Sequence, residues 1–506
     1  MVEAAKKADK TVWWGALERD TELVIGLVST VGTESRKVGK VIEDYLKNLS
    51  YEVQQIHIST DVIPIVNAKV AKGFPDEFTR IKKLMDAGNQ ARKKSGDYSV
   101  LALGAITIIG LNHKNKQKPT EPKPASRRAY IVSSLKHPDE VRRFREVYPH
   151  GFYLIGIHSD RERRLQYLTK EKQIPATLAE VLIERDYNED LRHGQRVSET
   201  FHLSDFFVRL EADDDTVKNS IWRLLEVLFG HPNRTPTFDE YAMFMAYSSS
   251  LKSADLSRQV GAVIAKDFDL LATGANECPA SGGGTYWPQY DGDTKGIRDF
   301  MRGRDYTRGE DSNKVEQRKI VLSIVEAGAN KGLDRRKLKS LVENSQIKDL
   351  TEYGRVVHAE MDALLTCARR GTSSVGATLY CTTFPCHNCA KHIVASGIKR
   401  VVFIEPYEKS KAAEFHDDSI LLGFDGGNGK VRFEPFVGVG PGKYFDLYSM
   451  TLSRGWKMTR KNDDGTAAQW KENTADARIQ MLPESYLQLE RKAAAQFSKH
   501  RKKLTS

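Results

Sequence analysis

Two short stretches, His358-Ala-Glu360 and Pro385-Cys386-His-Asn-Cys389, constrain this chain more than any other feature. One histidine and a Cys-x-x-Cys pair make three metal ligands. A zinc ion with three protein ligands and one open position is the arrangement of a catalytic centre. Bound there, zinc lowers the pKa of a water from ~15.7 to about 7 and so yields a nucleophile at neutral pH. Two thiolates and a neutral imidazole cancel the metal's charge, so the chemistry needs a separate proton carrier, and Glu360 is placed to be one without being a ligand. Ala359, Ala363, Leu364 and Cys367 share a helical face, which puts His358 and Glu360 at a helix start. Pro385 suits a first helical position, and the residues from Cys386 onward read as a second helix. Two helix N-termini directed at one metal would favour thiolate over thiol. A closed structural zinc knuckle would need a fourth ligand, and Cys381 and His387 are poorly spaced for it.

At 506 residues the chain is long enough for two to four domains. Its hydrophobic content of 40% and charged content of 29% fit a globular protein. The apolar run from Tyr98 to Leu111 is too short for a membrane span, which needs ~20 residues, and reads as a buried helix. The N-terminus lacks a signal-peptide pattern. All five cysteines lie beyond residue 277, and two belong to the zinc motif, so a reducing cytoplasm without disulfides is expected. The net charge of +11 fits either a polynucleotide partner or pockets that handle nucleotide phosphates. The basic clusters at 114–123 and 499–503 read as solvated loop and tail, so charge does not decide between the two.

Taken in order, residues 1–20 read as a leader, and residues 21–230 as a domain of alternating strands and helices. Leu23 to Val28 is a buried strand, Val38 to Leu49 a helix, and Tyr51 to Ile58 a second strand. Further strands are expected at 129–132, 152–157 and 206–209, and a closing helix at 216–229. This alternation predicts a mostly parallel, doubly wound sheet. The first turn resembles a P-loop loosely: Gly26 and Gly32 stand one residue too far apart, and Thr33 replaces the lysine that would reach the terminal phosphates. Backbone N–H groups at a helix start still bind anions without that lysine. The turn therefore reads either as a degenerate nucleotide-sensing site or as a plain structural turn, and ATP hydrolysis is not expected. His231 to Thr237 is the expected linker. A second domain over 238–450 begins with a helix, then a hairpin at 260–274, a glycine-rich insertion at 282–313 expected over the site, and strands at 377–381, 401–404 and 430–433 around the zinc motif. Residues 451–506 read as a basic C-terminal tail.

The His-x-Glu and Pro-Cys-x-x-Cys pair is the general signature of zinc-dependent nucleoside and nucleobase deaminases. With Ser253-Ala-Asp-Leu-Ser-Arg258-Gln-Val-Gly-Ala262, Gly274-Ala-Asn276 and Thr378 to Val394, the stretch 238–450 resembles the deoxycytidylate deaminases. The whole arrangement resembles bacterial anti-phage deoxycytidine nucleotide deaminases, in which a degenerate P-loop domain precedes a deaminase domain. The resemblance implies a P-loop NTPase-like α/β domain followed by a cytidine deaminase-like α/β/α domain. It implies one zinc on His358, Cys386 and Cys389, with Glu360 as proton shuttle. Asn276 matches a position that binds the substrate sugar; Arg258, Tyr407 and Lys409 are weaker candidates for substrate contacts. The implied reaction converts dCTP or dCMP to the uracil form and starves phage DNA synthesis. A homo-oligomer without membrane association is expected, with the N-terminal domain as sensor of an allosteric nucleotide or of a repressing RNA or protein. Two rivals stand beside this reading: a polynucleotide cytosine deaminase, and a catalytically silent nucleotide-sensing regulator.

Overall fold

The computed structural model describes residues 22–67, 70, 73–113, 127–187, 193–210, 213–345, 347, 350, 352–405, 410–423, 429–451, 458–462, 466, 468–479 and 483–505. The chain divides into two compact units, one of Met1–Glu240 with Val437–Ser506, the other of Tyr241–Phe436. The expected leader, including Trp13 and Trp14, lies outside the described residues, as does the basic cluster at 114–123.

In the first unit, largely apolar runs form β1 (Leu23–Ser29), β3 (Arg128–Leu135), β4 (Phe152–His158) and β5 (Phe206–Arg209), while the edge strand β2 (Glu52–His57) is mostly polar. Such runs suit strands covered on both faces. The sheet order is β5-β4-β1-β3-β2, all parallel, with Gly438–Val439 added antiparallel beside β5. One face packs Ile42, Leu46, Ile221 and Leu225 from the flanking helices Ser35–Asn48 and Asp214–Leu228. The other face packs Val100–Leu111, which is a buried helix as its composition predicts.

Three boundaries differ from the sequence reading. Residues 231–237 are not a free linker but part of the first unit: the Pro232 carbonyl accepts from Arg460 at 2.8 Å, and the His231 and Trp470 rings lie 4.6 Å apart. The chain leaves the second unit after Phe436 rather than near 450. The expected tail returns to the first unit and ends in a helix, Pro483–Thr505, whose Tyr486, Leu487, Ala493 and Phe497 join its core. The basic side chains of Arg491, Lys492 and Lys499 stay on its exposed face. Positive charge along the segment masks an apolar stripe at helical spacing.

The second unit is a six-stranded sheet built from β6 (Gly261–Lys266), β7 (Asp269–Ala275), β10 (Thr378–Thr383), β11 (Arg400–Glu405), β12 (Ile420–Leu422) and β13 (Val431–Pro435), with β8 (Gln289–Asp291) and β9 (Gly296–Arg298) as a separate short hairpin. The order is β12-β13-β11-β10-β6-β7. β6 and β7 form the expected hairpin, β10 runs antiparallel to β6, and β10, β11, β13 and β12 are parallel. The helix Ala359–Arg370 packs on this sheet through Ala359, Ala363, Leu364 and Cys367. It lies close to β7 because position 274 is glycine. A Cβ there would meet the Ala359 carbonyl oxygen at 2.2 Å and the Ala363 nitrogen at 2.5 Å.

Candidate active site

His358 is the N-cap of helix Ala359–Arg370, and Cys386 is the N-cap of helix His387–Ala395. Both have extended backbone, and neither spends its side chain on capping, so imidazole and thiol are directed elsewhere. Pro385 stands just before the N-cap rather than at the first helical position. Cys389 sits in the first turn of the second helix, and its sulfur lies 3.4 Å from Nδ1 of His358; the Cys386 sulfur lies 3.3 Å from the same nitrogen.

These three atoms lie within 4.8 Å of one another, the only such His/Cys/Asp/Glu group among the described residues. An ion at 2.0–2.3 Å from each ligand in tetrahedral geometry spaces its ligand atoms by about 3.5 Å. The donor set therefore fits zinc in both softness and spacing. Cys386 is held down to about 4, first by its hydrogen bond with Cys389 and then, against burial, by the His358 ring. The same hydrogen bond, reinforced by burial, pushes Cys389 up. His358 is raised to about 9, chiefly by its bond to Cys386. A thiolate is thus already favoured at one ligand position, and metal binding would release the proton held at the other.

Glu360 is buried beside this cluster, and burial pushes its carboxyl above the ordinary carboxylate range, opposed by the charge of His358. Desolvation of this kind brings a carboxyl toward the pKa at which it both accepts and returns a proton.

The neighbouring segment shows what the remaining candidates do. Asn276 is buried, and both ends of its amide are engaged: Oδ1 accepts from the Val260 N–H at 2.7 Å, and Nδ2 donates to the Arg258 carbonyl at 2.9 Å. Its own carbonyl accepts from Ser253 Oγ at 2.6 Å. Asn276 thus clamps the loop Ser253–Val260 against the end of β7. The Arg258 side chain is exposed. Tyr407 and Lys409 lie outside the described residues.

Two acids that the sequence reading passed over complete the frame. Glu277 exchanges both backbone hydrogen bonds with Val357, the residue before His358, at 3.1 and 3.0 Å. Its carboxylate accepts from the Ala254 and Cys278 N–H groups at 2.9 and 2.8 Å. Asp362 accepts from the Ala275 N–H at 3.2 Å. Together they tie the helix start that carries His358 and Glu360 to the segment that carries Asn276. Their adjacency to Asn276 and Glu360 was the available signal.

In the first unit the turn after β1 differs from the expected loop. Gly26 lies inside β1, where a Cβ would meet Leu135 Cδ1 at 2.7 Å and the Phe152 ring at 2.8 Å; it serves packing, not a phosphate. The long spacing to Gly32 arises because only Gly32 belongs to the turn, with a φ of +83°. The Thr33 hydroxyl turns back to Thr30, at 3.3 Å between the two oxygens.

Residues 236–405 match the model of the cytidine and deoxycytidylate deaminase zinc-binding region. The deoxycytidylate deaminase of Enterobacteria phage T4 is 34% identical over 169 residues, 33% of this chain and 77% of the phage protein. That of Mycobacterium phage D29 is 29% identical over 33% of this chain and 94% of its own length. Among solved structures, the apo dCMP deaminase of the cyanophage S-TIM5 aligns over 40% of this chain and 99% of its own, at 19% identity and a TM-score of 0.23. The site and these matches define a hydrolytic deaminase. Through its second unit, the chain belongs to the deoxycytidylate deaminase family.

Proposed function

We propose that the protein is a zinc-dependent deaminase of free deoxycytidine nucleotides, converting dCMP, dCTP or both to the uracil nucleotide with release of ammonia. The observation that carries this reading is the buried Glu360 carboxyl beside the His358–Cys386–Cys389 cluster. His358, Cys386 and Cys389 would hold the zinc, which supplies a water acidic enough to attack at neutral pH. Glu360 takes a proton from the attacking water and delivers it to ring nitrogen 3 as the water oxygen bonds to carbon 4. A second proton passes through the same carboxyl to the exocyclic amine; the carbon–nitrogen bond then breaks and ammonia leaves. Asn276 holds the loop Ser253–Val260 at the end of β7, and in our reading it faces the substrate sugar.

The relatives named as deoxycytidylate deaminases support a nucleotide over a polynucleotide substrate. In our reading the enzyme acts in the cytoplasm, the pool-depleting reaction serves defence against phage, and the first unit is a degenerate P-loop-like domain that senses a nucleotide. All five cysteines are free, and no helix among the described residues is long and apolar enough to cross a membrane.

General acid–base catalysis contributes typically ~10²–10⁴-fold. Glu360→Ala should therefore lower dCMP turnover by at least that factor while zinc content stays at one per chain. Retained turnover in this variant, read by ammonia release, would sink the mechanism.

A further inference from the structure

The first unit holds a cavity of about 210 Å³ at the carboxyl ends of β1, β2 and β3, bounded by Ser29 and His57, the last residues of β1 and β2, and by Ser133 near the end of β3. In open parallel sheets this crevice is where ligands bind, beside the point at which the strand order reverses. Here the reversal falls at β1, flanked by β3 and β4.

The lining is unbalanced in charge. Arg36, Arg80, Arg92, Lys136 and Lys172 face a single carboxylate, Asp186. Arg80 and Arg92 have acidic partners, Glu77 at 2.9 Å and Glu140 at 2.7 Å, but neither acid lines the cavity. Ile63, Ile81 and Leu84 add apolar surface to the same lining, Ile81 and Leu84 from the helix that also carries Arg80 and Arg92. A lining of cations, hydroxyls and apolar side chains together matches a phosphate ester carrying a flat organic body.

Asp186 shows where an anion goes. It is 1% exposed, accepts from the Val31 N–H at 2.6 Å, and receives Lys136 Nζ at 3.0 Å, while that ammonium also donates to the Ser29 carbonyl at 2.7 Å. Lys136 directly follows β3 in the chain and reaches across to the end of β1. The protein's own carboxylate thus takes the first amide of the turn and its nearest lysine.

We propose that this cavity binds a nucleoside monophosphate, with its phosphate among Arg36, Arg80 and Lys172 and its base on the Ile63–Leu84 surface, and that Asp186 competes for the anion position at the turn. The proposal deepens the nucleotide-sensing reading of the first unit, but it rests on the cavity rather than on the P-loop resemblance.

The test is isothermal titration of the full chain with dGMP, which carries no cytosine, and with inorganic phosphate. The expected result is one dGMP per chain, bound at least tenfold tighter than phosphate. Arg36→Ala, an exposed position that folding does not depend on, should weaken dGMP tenfold or more, and Arg80→Gln likewise. Asp186→Asn, which keeps the shape but removes the competing charge, should tighten phosphate severalfold. No binding of dGMP or phosphate, equal affinity for the two, or dGMP binding unchanged in both arginine variants would overturn the site. Unchanged phosphate affinity in Asp186→Asn would overturn the competition. Binding of dGMP with no effect on dCMP turnover would uphold the site and remove the sensing role.

Discussion

Glycine 274 decides how closely the helix bearing His358 and Glu360 can approach β7. The missing Cβ leaves the Ala359 carbonyl and the Ala363 nitrogen at distances no side chain would tolerate. Neither opposing group is a flexible side-chain end, so Gly274→Ala must push the helix start outward. Overpacking of this kind costs about 1–3 kcal/mol. The same displacement would carry His358 away from the two cysteines, so the variant should lose both stability in urea unfolding and zinc content. Wild-type zinc content in that variant would contradict the close-approach argument. At this scale the zinc motif was legible because its chemistry is local: two helix starts each deliver ligands within four residues. Asn276 was legible only through family resemblance, and its work on the Ser253–Val260 loop was not, because those bonds join residues up to 23 positions apart in a pattern that leaves no periodicity. Glu277 and Asp362 left only one mark in the sequence, their closeness to Asn276 and Glu360; their bonds left none.

The element least legible in the sequence was the C-terminal helix Pro483–Thr505. Its apolar residues recur at helical spacing, but lysines and arginines crowd between them, and the segment reads as a solvated tail. In the structure Phe497 is buried against the Val100–Leu111 helix, where Gly104 leaves room for its ring. Phe497→Ala should destabilise the protein by about 3–5 kcal/mol, as for buried aromatic truncations generally; a loss below 1 kcal/mol in denaturant unfolding would mean that the helix is not part of the core. The helix is also tied through a buried polar cluster. His113 donates to Glu490 at 2.7 Å and to Glu22 at 2.8 Å, while Tyr148 and Tyr486 donate to the same two carboxylates and Tyr130 to Glu22. Burial alone would lower His113, but hydrogen bonds and charge from the two carboxylates outweigh it and raise it to about 9. A histidine raised above its unfolded value of about 6.5 contributes stability that is complete below that pH and is lost as pH rises through the folded value. The stability difference between wild type and His113→Gln should therefore shrink from pH 6.5 to above pH 9. A difference independent of pH over that range would contradict a charged His113.

At the scale of the whole molecule, alternation of strands and helices announced the parallel sheet of the first unit, because most of its buried strands are largely apolar runs, whereas the fold of the second unit was expected from its resemblance to the deaminases. The boundaries were misjudged because the chain leaves the first unit and later re-enters it, and composition carries no mark of a return. Only contacts such as Gly438–Val439 beside β5 reveal it. The P-loop comparison misled at Gly26 for a related reason: a glycine required by packing inside a strand looks, in sequence, like one required by a turn. The central claim concerns the second unit, that its cluster of ligands and buried carboxyl deaminates free deoxycytidine nucleotides. The measurement that tests it most directly is turnover of dCMP, dCTP, CTP and single-stranded DNA by the purified, zinc-loaded full chain. Ammonia release from one or both free deoxynucleotides, with none from DNA, is the expected result. Deamination of single-stranded DNA alone, or of none of the four, would contradict it.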